Sequence, residues 1–308
     1  MAVESIPVGL DVAVLQRGLS RSSRLSDYWM LTKPEINVLI AITTGAAFCI
    51  GSPAPIAHFP WVELLHTLLG TVLVASGAAT LNQVIERRFD AQMRRTARRP
   101  LASGRINSSH ALWFGISLSL FGIVYLALSV NFLASLLAAL TLFSYLFLYT
   151  PLKRRPPLCT LIGAFPGAVP PLIGWAAARG RLEPGAWALY AIVFLWQFPH
   201  FMAIAWMYSE DYARAGYLVL PAGGTKERFV IWQSFLVSVV LIPLGSFSSA
   251  TGEFAFSCRI GILGLGCFFS VFAARFAFRR TNVRARQLLF ASIVYLPATF
   301  VLMMLSKK

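Results

Sequence analysis

Charge is scarce in this sequence. Only 13% of its 308 residues are Asp, Glu, Lys or Arg, against about 25% in an ordinary soluble domain. Hydrophobic residues make up 57%, and the mean hydropathy is +0.68. A soluble core of this size would need a far more polar shell, so the composition excludes a water-soluble protein and places the chain in a bilayer. The four cysteines, Cys49, Cys159, Cys258 and Cys267, form no CxxC pair, which argues against a disulfide framework or a thiolate metal cluster and leaves small apolar packing as their expected role. Walker A, HExxH and GxSxG patterns are absent, which excludes a nucleotide-driven pump and a membrane protease of the usual kinds. Residues 1–26 lack a long apolar core, so no cleavable secretory signal is expected. Arg17, Arg21 and Arg24 among serines hint at a transit sequence, but Glu4 and Asp11 argue against one. A disordered or amphipathic cytoplasmic arm is the preferred reading for 1–26, followed by one transmembrane domain over 27–308.

What is abundant is long apolar runs. A span needs roughly 20 mostly apolar residues, and nine runs qualify: 35–52, 62–84, 111–129, 131–149, 158–177, 186–206, 229–248, 259–275 and 287–305. Only Ser129 and Asn131 separate the third from the fourth, but the fused run is too long for one crossing. Nine spans with a cytoplasmic N-terminus put 22 of the 27 Lys and Arg on the cytoplasmic side. The positive-inside rule fixes that orientation and explains the net charge of +15 without nucleic acid. The expected class is an all-α polytopic membrane protein. Acidic residues end the second and sixth spans and basic residues the fourth and eighth. An offset of four spans preserves direction, so the pattern reads as two parallel four-helix units plus a ninth helix. The fifth span holds Gly163-Ala164-Phe165-Pro166-Gly167-Ala168-Val169-Pro170-Pro171, where prolines kink the helix and Gly163 and Gly167 favour close helix contact.

The polar residues that remain are concentrated. Asn82, Glu86 and Asp90 recur every four residues at the end of the second span, about 6 Å apart on one helix face. Seven arginines lie between 87 and 105, five of them after Asp90. Three oxygen-bearing side chains in that register suit Mg²⁺, which keeps waters and bridges to substrate phosphates. The same acids could instead simply pair with Arg87, Arg88, Arg94 and Arg95. Asp211, with Glu210 beside it, is the available partner on a second helix. Lys153, Arg154, Arg214 and Lys226 could hold a diphosphate or a propionate, or serve as topology anchors. His66 faces away from the ladder. His200 lies about 20° from Asp211 around its helix and about 16 Å deeper. A mid-membrane histidine marks a functional site by default; it could ligate iron, move a proton, or bond a neighbouring helix.

The string Asn82-x-x-x-Glu86-x-x-x-Asp90-x-x-Met93-x-Arg95-Thr96-x-x-Arg99-Pro100-Leu101 resembles the first aspartate-rich motif of UbiA-type intramembrane prenyltransferases, and most of all their protoheme IX farnesyltransferase branch. Tyr149-Thr150-x-Leu152-Lys153-Arg154, Gly163 to Trp175, Trp196-Gln197-x-Pro199-His200-Phe201 and Asp211-Tyr212-x-x-Ala215-Gly216 follow in family order, so the resemblance covers about 28–305. It implies nine helices around a central cavity, Mg²⁺ as cofactor, and farnesyl transfer from farnesyl diphosphate to a vinyl group of haem B, giving haem O. It implies Asn82, Glu86, Asp90 and Asp211 as catalytic metal ligands. Arg95, Arg99, Tyr149, Lys153, Arg154, His200 and Tyr212 are the implied substrate-binding residues. Glu86 stands where the wider superfamily often has Asp, and position 215 is Ala where a second full acidic box would have Asp. The expected location is the cell inner membrane rather than the mitochondrial one, with a haem A synthase as candidate partner. Two other readings stay open: a UbiA-type enzyme acting on a quinone precursor, and a transporter.

Overall fold

A backbone inside hydrocarbon must satisfy its own hydrogen bonds, and a helix does so within one segment. The computed structural model describes residues 24–152, 158–216, 224–248 and 256–307 and is built from helices accordingly. A short α1 (Arg24–Leu31) leads into α2 (Pro34–Gly51), a turn of 3-10 helix and the long α3 (Trp61–Asp90). Next come α4 (Ser108–Ser129) and α5 (Phe132–Phe143), the latter prolonged by a wide π-type turn at Ser144–Tyr149 and by Thr150–Leu152. Then follow α6 (Leu158–Gly167), α7 (Pro170–Arg179), α8 (Pro184–Met207), α9 (Ser209–Arg214), α10 (Gly224–Ser248), α11 (Phe256–Phe278) and α12 (Asn282–Leu305).

Among the described residues, eight helical segments are long and apolar enough to cross a membrane, and the chain is a membrane protein. They match eight of the nine expected spans. The remaining one, 229–248, falls on α10, whose apolar part is the shorter Ile231–Gly245. The weak boundary between the third and fourth spans has a physical basis in Asn131. Its side chain caps α5 by accepting from the Ala134 N–H at 2.8 Å, and its amide donates to the Ala176 carbonyl at 2.9 Å. Prolines break the fifth span as expected: Pro166 lies inside α6, and Pro170 starts α7. The proposed arm 1–26 lies outside the described residues except for its last three, which open α1.

Packing closes the helices into a ring. α3 lies on α4, α5 on α7 and α7 on α2; α8 meets α10 and α12; α11 meets α10 and α12; and α12 returns to α2. Small residues set the closest approaches, as expected where no hydrophobic force drives helices together in lipid. A Cβ at Gly77 would sit 2.7 Å from the Gly115 carbonyl oxygen and the Ser119 nitrogen, so α3 and α4 touch backbone to backbone. The larger apolar core gathers Trp196, Phe269, Phe276, Leu288, Tyr295 and Phe300, with Phe269 stacked on Tyr295 at 4.9 Å.

Two cations tie off the C-terminal end of α2. Lys307 Nζ donates to the carbonyls of Cys49, at 3.0 Å, and Ser52, and Arg179 Nε donates to the Gly51 carbonyl. Cations at a helix C-terminus are favourable. Lys307→Ala should therefore cost about 1 kcal/mol of stability, read as a lower midpoint in thermal unfolding of the detergent-solubilised protein, with little change in activity.

Candidate functional site

The ladder is placed by the length of α3. A span needs about 20 residues, and α3 has 30, so its last turns carry Asn82, Glu86 and Asp90 beyond the apolar stretch without leaving the helix. All three side chains are buried, at 1%, 7% and 2% exposure. Each is held by neighbours. Asn82 Nδ2 donates to Glu86 Oε2 at 2.7 Å, and the Thr150 hydroxyl donates to Asn82 Oδ1 at 3.0 Å. Arg99 Nη1 donates to both oxygens of Asp90, at 2.9 and 2.8 Å.

The segment after α3 folds back over the ladder. The Thr96 hydroxyl donates to the Asp90 carbonyl at 2.8 Å, and the backbone N–H of Arg99 donates to the Thr96 carbonyl at 2.9 Å. These turns carry Arg99 back to Asp90, nine residues earlier. Asp211 pins the same segment from the opposite side. Its carboxylate accepts from the backbone N–H groups of Arg94 and Arg95, both at 3.4 Å, and pairs with Arg214. Met93 packs against Ala215, with Phe89 and Tyr212 alongside, and the Arg95 guanidinium lies 5.1 Å from the centroid of the Tyr208 ring.

Below this cover lies a cavity of about 530 Å³. Asn82, Glu86, Asp90, Arg95, Arg99, Tyr149, His200 and Tyr212 all line it, so the structure gathers most of the expected site residues around one space. Asp211 is not among the lining residues; it sits behind them, on the loop backbone. Lys153 and Arg154 lie outside the described residues. Tyr149 reaches the cavity from the wide turn of α5, a form of helix often found at functional sites. Its ring fills the space that a Cβ at Gly163 would need. His66 bonds Tyr125 on α4 at 2.5 Å and faces away from the cavity, as its helical phase implies.

Lys33, Asn37 and Tyr145 also line the cavity, and the sequence reading missed them. Lys33 holds a left-handed backbone, φ 51°, directly before Pro34. A side-chain-bearing residue in that region costs about 1–2 kcal/mol, a strain that tends to collect at functional sites. A Lys-Pro pair followed by Asn37 one helical turn on, at the start of the first span, was the available signal. Asn37 Nδ2 donates to Ser76 Oγ at 2.7 Å, which ties α2 to α3 beside the ladder.

An amide oxygen and two buried carboxylates on one helix face are the donor set that Mg²⁺ takes alongside water and phosphate oxygens. Asp90 already carries a cationic partner, so this end of the cavity is built for positive charge against carboxylate. Among the described residues no three His, Cys, Asp or Glu side chains come together; a metal held by the ladder would draw its other ligands from substrate and solvent. Removing the guanidinium should expose the cost of burying Asp90. Arg99→Gln is expected to lower stability by about 1–2 kcal/mol, less than for a fully buried pair because Arg99 is partly solvated. Mg²⁺ alone, which can replace the guanidinium as the cation beside Asp90, should narrow that gap in a thermal-shift measurement.

Comparison with known proteins accords with this geometry. The model of the UbiA prenyltransferase family matches residues 38–294. The protoheme IX farnesyltransferase of Solibacter usitatus is 47% identical over 289 residues, covering 92% of this chain and 99% of that protein. A solved digeranylgeranylglyceryl phosphate synthase shares the fold with a TM-score of 0.75 at 16% identity, over 92% of this chain and 98% of that one. A UbiA homologue from Archaeoglobus fulgidus, solved with GPP and Mg²⁺ bound, gives 0.62 at 17% identity, over 90% and 99%.

Proposed function

The chain belongs to the UbiA prenyltransferase family, and from that premise we propose that it transfers farnesyl from farnesyl diphosphate to a vinyl group of haem B, giving haem O. The observation that carries this reading is the shared cavity. A buried oxygen ladder with two arginines closes one end, and aromatic walls with a histidine line its interior.

Asn82, Glu86 and Asp90 would hold Mg²⁺. Bound there, the ion supplies neutralisation of the diphosphate and of the charge that it gains on leaving. Arg95 and Arg99 reach the same end and would bind the phosphate oxygens, with Lys153 and Arg154 proposed as further phosphate contacts. Asp211 enters as the acid that fixes the Arg94–Arg95 turn over the site; a metal-ligand role would require it to release those amides. The C1–O bond of farnesyl diphosphate breaks, and its electron pair leaves with the diphosphate. The faces of Tyr145, Tyr149 and Tyr212 stabilise the positive charge left on the allyl group and exclude bulk water. The vinyl π pair of haem B then bonds to C1, water adds to the resulting cation next to the porphyrin, and one proton is released. His200, on the cavity wall beside Trp196, would hold the porphyrin through its iron. The orientation proposed is N-terminus cytoplasmic in the plasma membrane, with a haem A synthase as the enzyme that takes up the product.

Acceptor choice tests the reading. Membranes containing the chain should join farnesyl to haem B and leave a hydroxybenzoate untouched. Transfer to the hydroxybenzoate alone would assign the chain to a quinone-type branch, and absence of transfer to either would point to a transporter.

A further inference from the structure

The hydrogen bonds around His200 fix which of its nitrogens carries the proton. His200 Nδ1 lies 2.8 Å from Ser292 Oγ on α12. Ser292 has one hydroxyl hydrogen, and Oγ lies 2.6 Å from the Leu289 carbonyl, which can only accept. That carbonyl takes the hydrogen, so Ser292 Oγ must accept from His200, and the proton sits on Nδ1. In a neutral imidazole the other nitrogen then carries the lone pair. His200 lines the cavity, and its Nδ1 edge is taken up by α12. The ring is held flat as well. Trp196 stacks on it at 4.6 Å between centroids, and Trp196 Nε1 donates to the Ser292 backbone carbonyl at 2.7 Å. One fully buried serine therefore holds the ring edge through its side chain and the stacking partner through its backbone.

We propose that Ser292 is a positioning residue for haem: it locks His200 as the Nδ1–H tautomer and presents the Nε2 lone pair to the haem iron. This rests on the proposed haem acceptor and adds how the porphyrin is fixed. A ligating histidine commonly donates its second N–H to a partner that sets its tautomer and orientation, and loss of that partner typically lowers affinity 10–100-fold. The Ser292 hydroxyl fills that place. Its removal leaves the backbone carbonyl that holds Trp196, so Ser292→Ala changes the tautomer lock without removing the stacking.

The test is ferric haem B added to the full-length protein in detergent, without farnesyl diphosphate, followed by absorption and low-temperature EPR. Wild type should show imidazole-ligated haem, and His200→Ala should lose that signature. Ser292→Ala should bind haem about 10-fold more weakly or more with an altered ligand field, and Ser292→Thr, which keeps a hydroxyl, should restore both. Ser292→Ala with wild-type spectrum and affinity would overturn the positioning role, provided wild type binds haem. So would an imidazole signature that survives in His200→Ala. A wild-type protein that binds no haem at all would instead remove the haem-acceptor reading itself. A thermal midpoint within a few degrees of wild type shows that each variant is folded.

Discussion

Glu86→Gln should lower farnesyl transfer by about 100- to 1000-fold while leaving a folded protein at normal abundance. The amide keeps the shape of the side chain, and its oxygen can still accept from Asn82 Nδ2, as Glu86 Oε2 does at 2.7 Å. What it removes is one negative charge at a position only 7% exposed. If Glu86 served only to hold Asn82, Gln would be nearly silent. If it holds the metal against a diphosphate, Gln weakens the site that must neutralise a leaving group gaining charge in the transition state. Raising Mg²⁺ should recover part of the rate for Glu86→Gln and little for Glu86→Ala. Stability should change by no more than about 1 kcal/mol, because removing a buried charge also removes its desolvation penalty. Steady-state assays over a Mg²⁺ series, paired with melting curves, check both halves. A rate within threefold of wild type would mean that the ladder is structural.

The second large effect is on folding. Gly77→Val should prevent stable assembly of α3 on α4. Even a Cβ at Gly77 would come within 2.7 Å of the Gly115 carbonyl oxygen and the Ser119 nitrogen, and these are backbone atoms that cannot turn aside. The helices must separate, and the contact of Gly122 with Val74 further along the same seam would open with them. Overpacking of this kind costs about 3 kcal/mol, a large part of ordinary stability. The expected readout is a much lower yield of monodisperse protein and a fall of several degrees in the thermal midpoint. Gly104→Ala provides a contrast. Nothing lies within 4 Å of where its Cβ would stand, but its φ is 75°, so its smaller penalty is one of backbone strain alone.

Much of this was legible in the sequence because a membrane imposes simple rules. Apolar length located eight helices, and the period of four placed Asn82, Glu86 and Asp90 on one face. Helical phase also separated His66, which meets Tyr125, from His200, which meets the cavity. What the sequence leaves open shares a cause: it depends on which atoms meet across chain distances that no local pattern encodes. Asp211 is acidic and follows a span in the same direction as the ladder, which suggests an opposing ligand but not the contacts that it makes. Its carboxylate meets the amides of Arg94 and Arg95, more than a hundred residues earlier. The motif singles out Arg99 as a substrate-binding residue, but not its pairing with Asp90, which the turn built on Thr96 creates. Ser292 carried no signal at all, since an isolated serine in an apolar run is ordinary. Only its contacts with His200 and Leu289 give it meaning.

The most direct measurement is mass analysis of the haems extracted from a haem-O-deficient membrane in which this chain is expressed. Predicted is a new haem whose mass is that of haem B plus one farnesyl group and one hydroxyl, absent when Glu86 and Asp90 are replaced by alanine. Haem B alone, in membranes shown to contain the folded wild-type protein and farnesyl diphosphate, would contradict it.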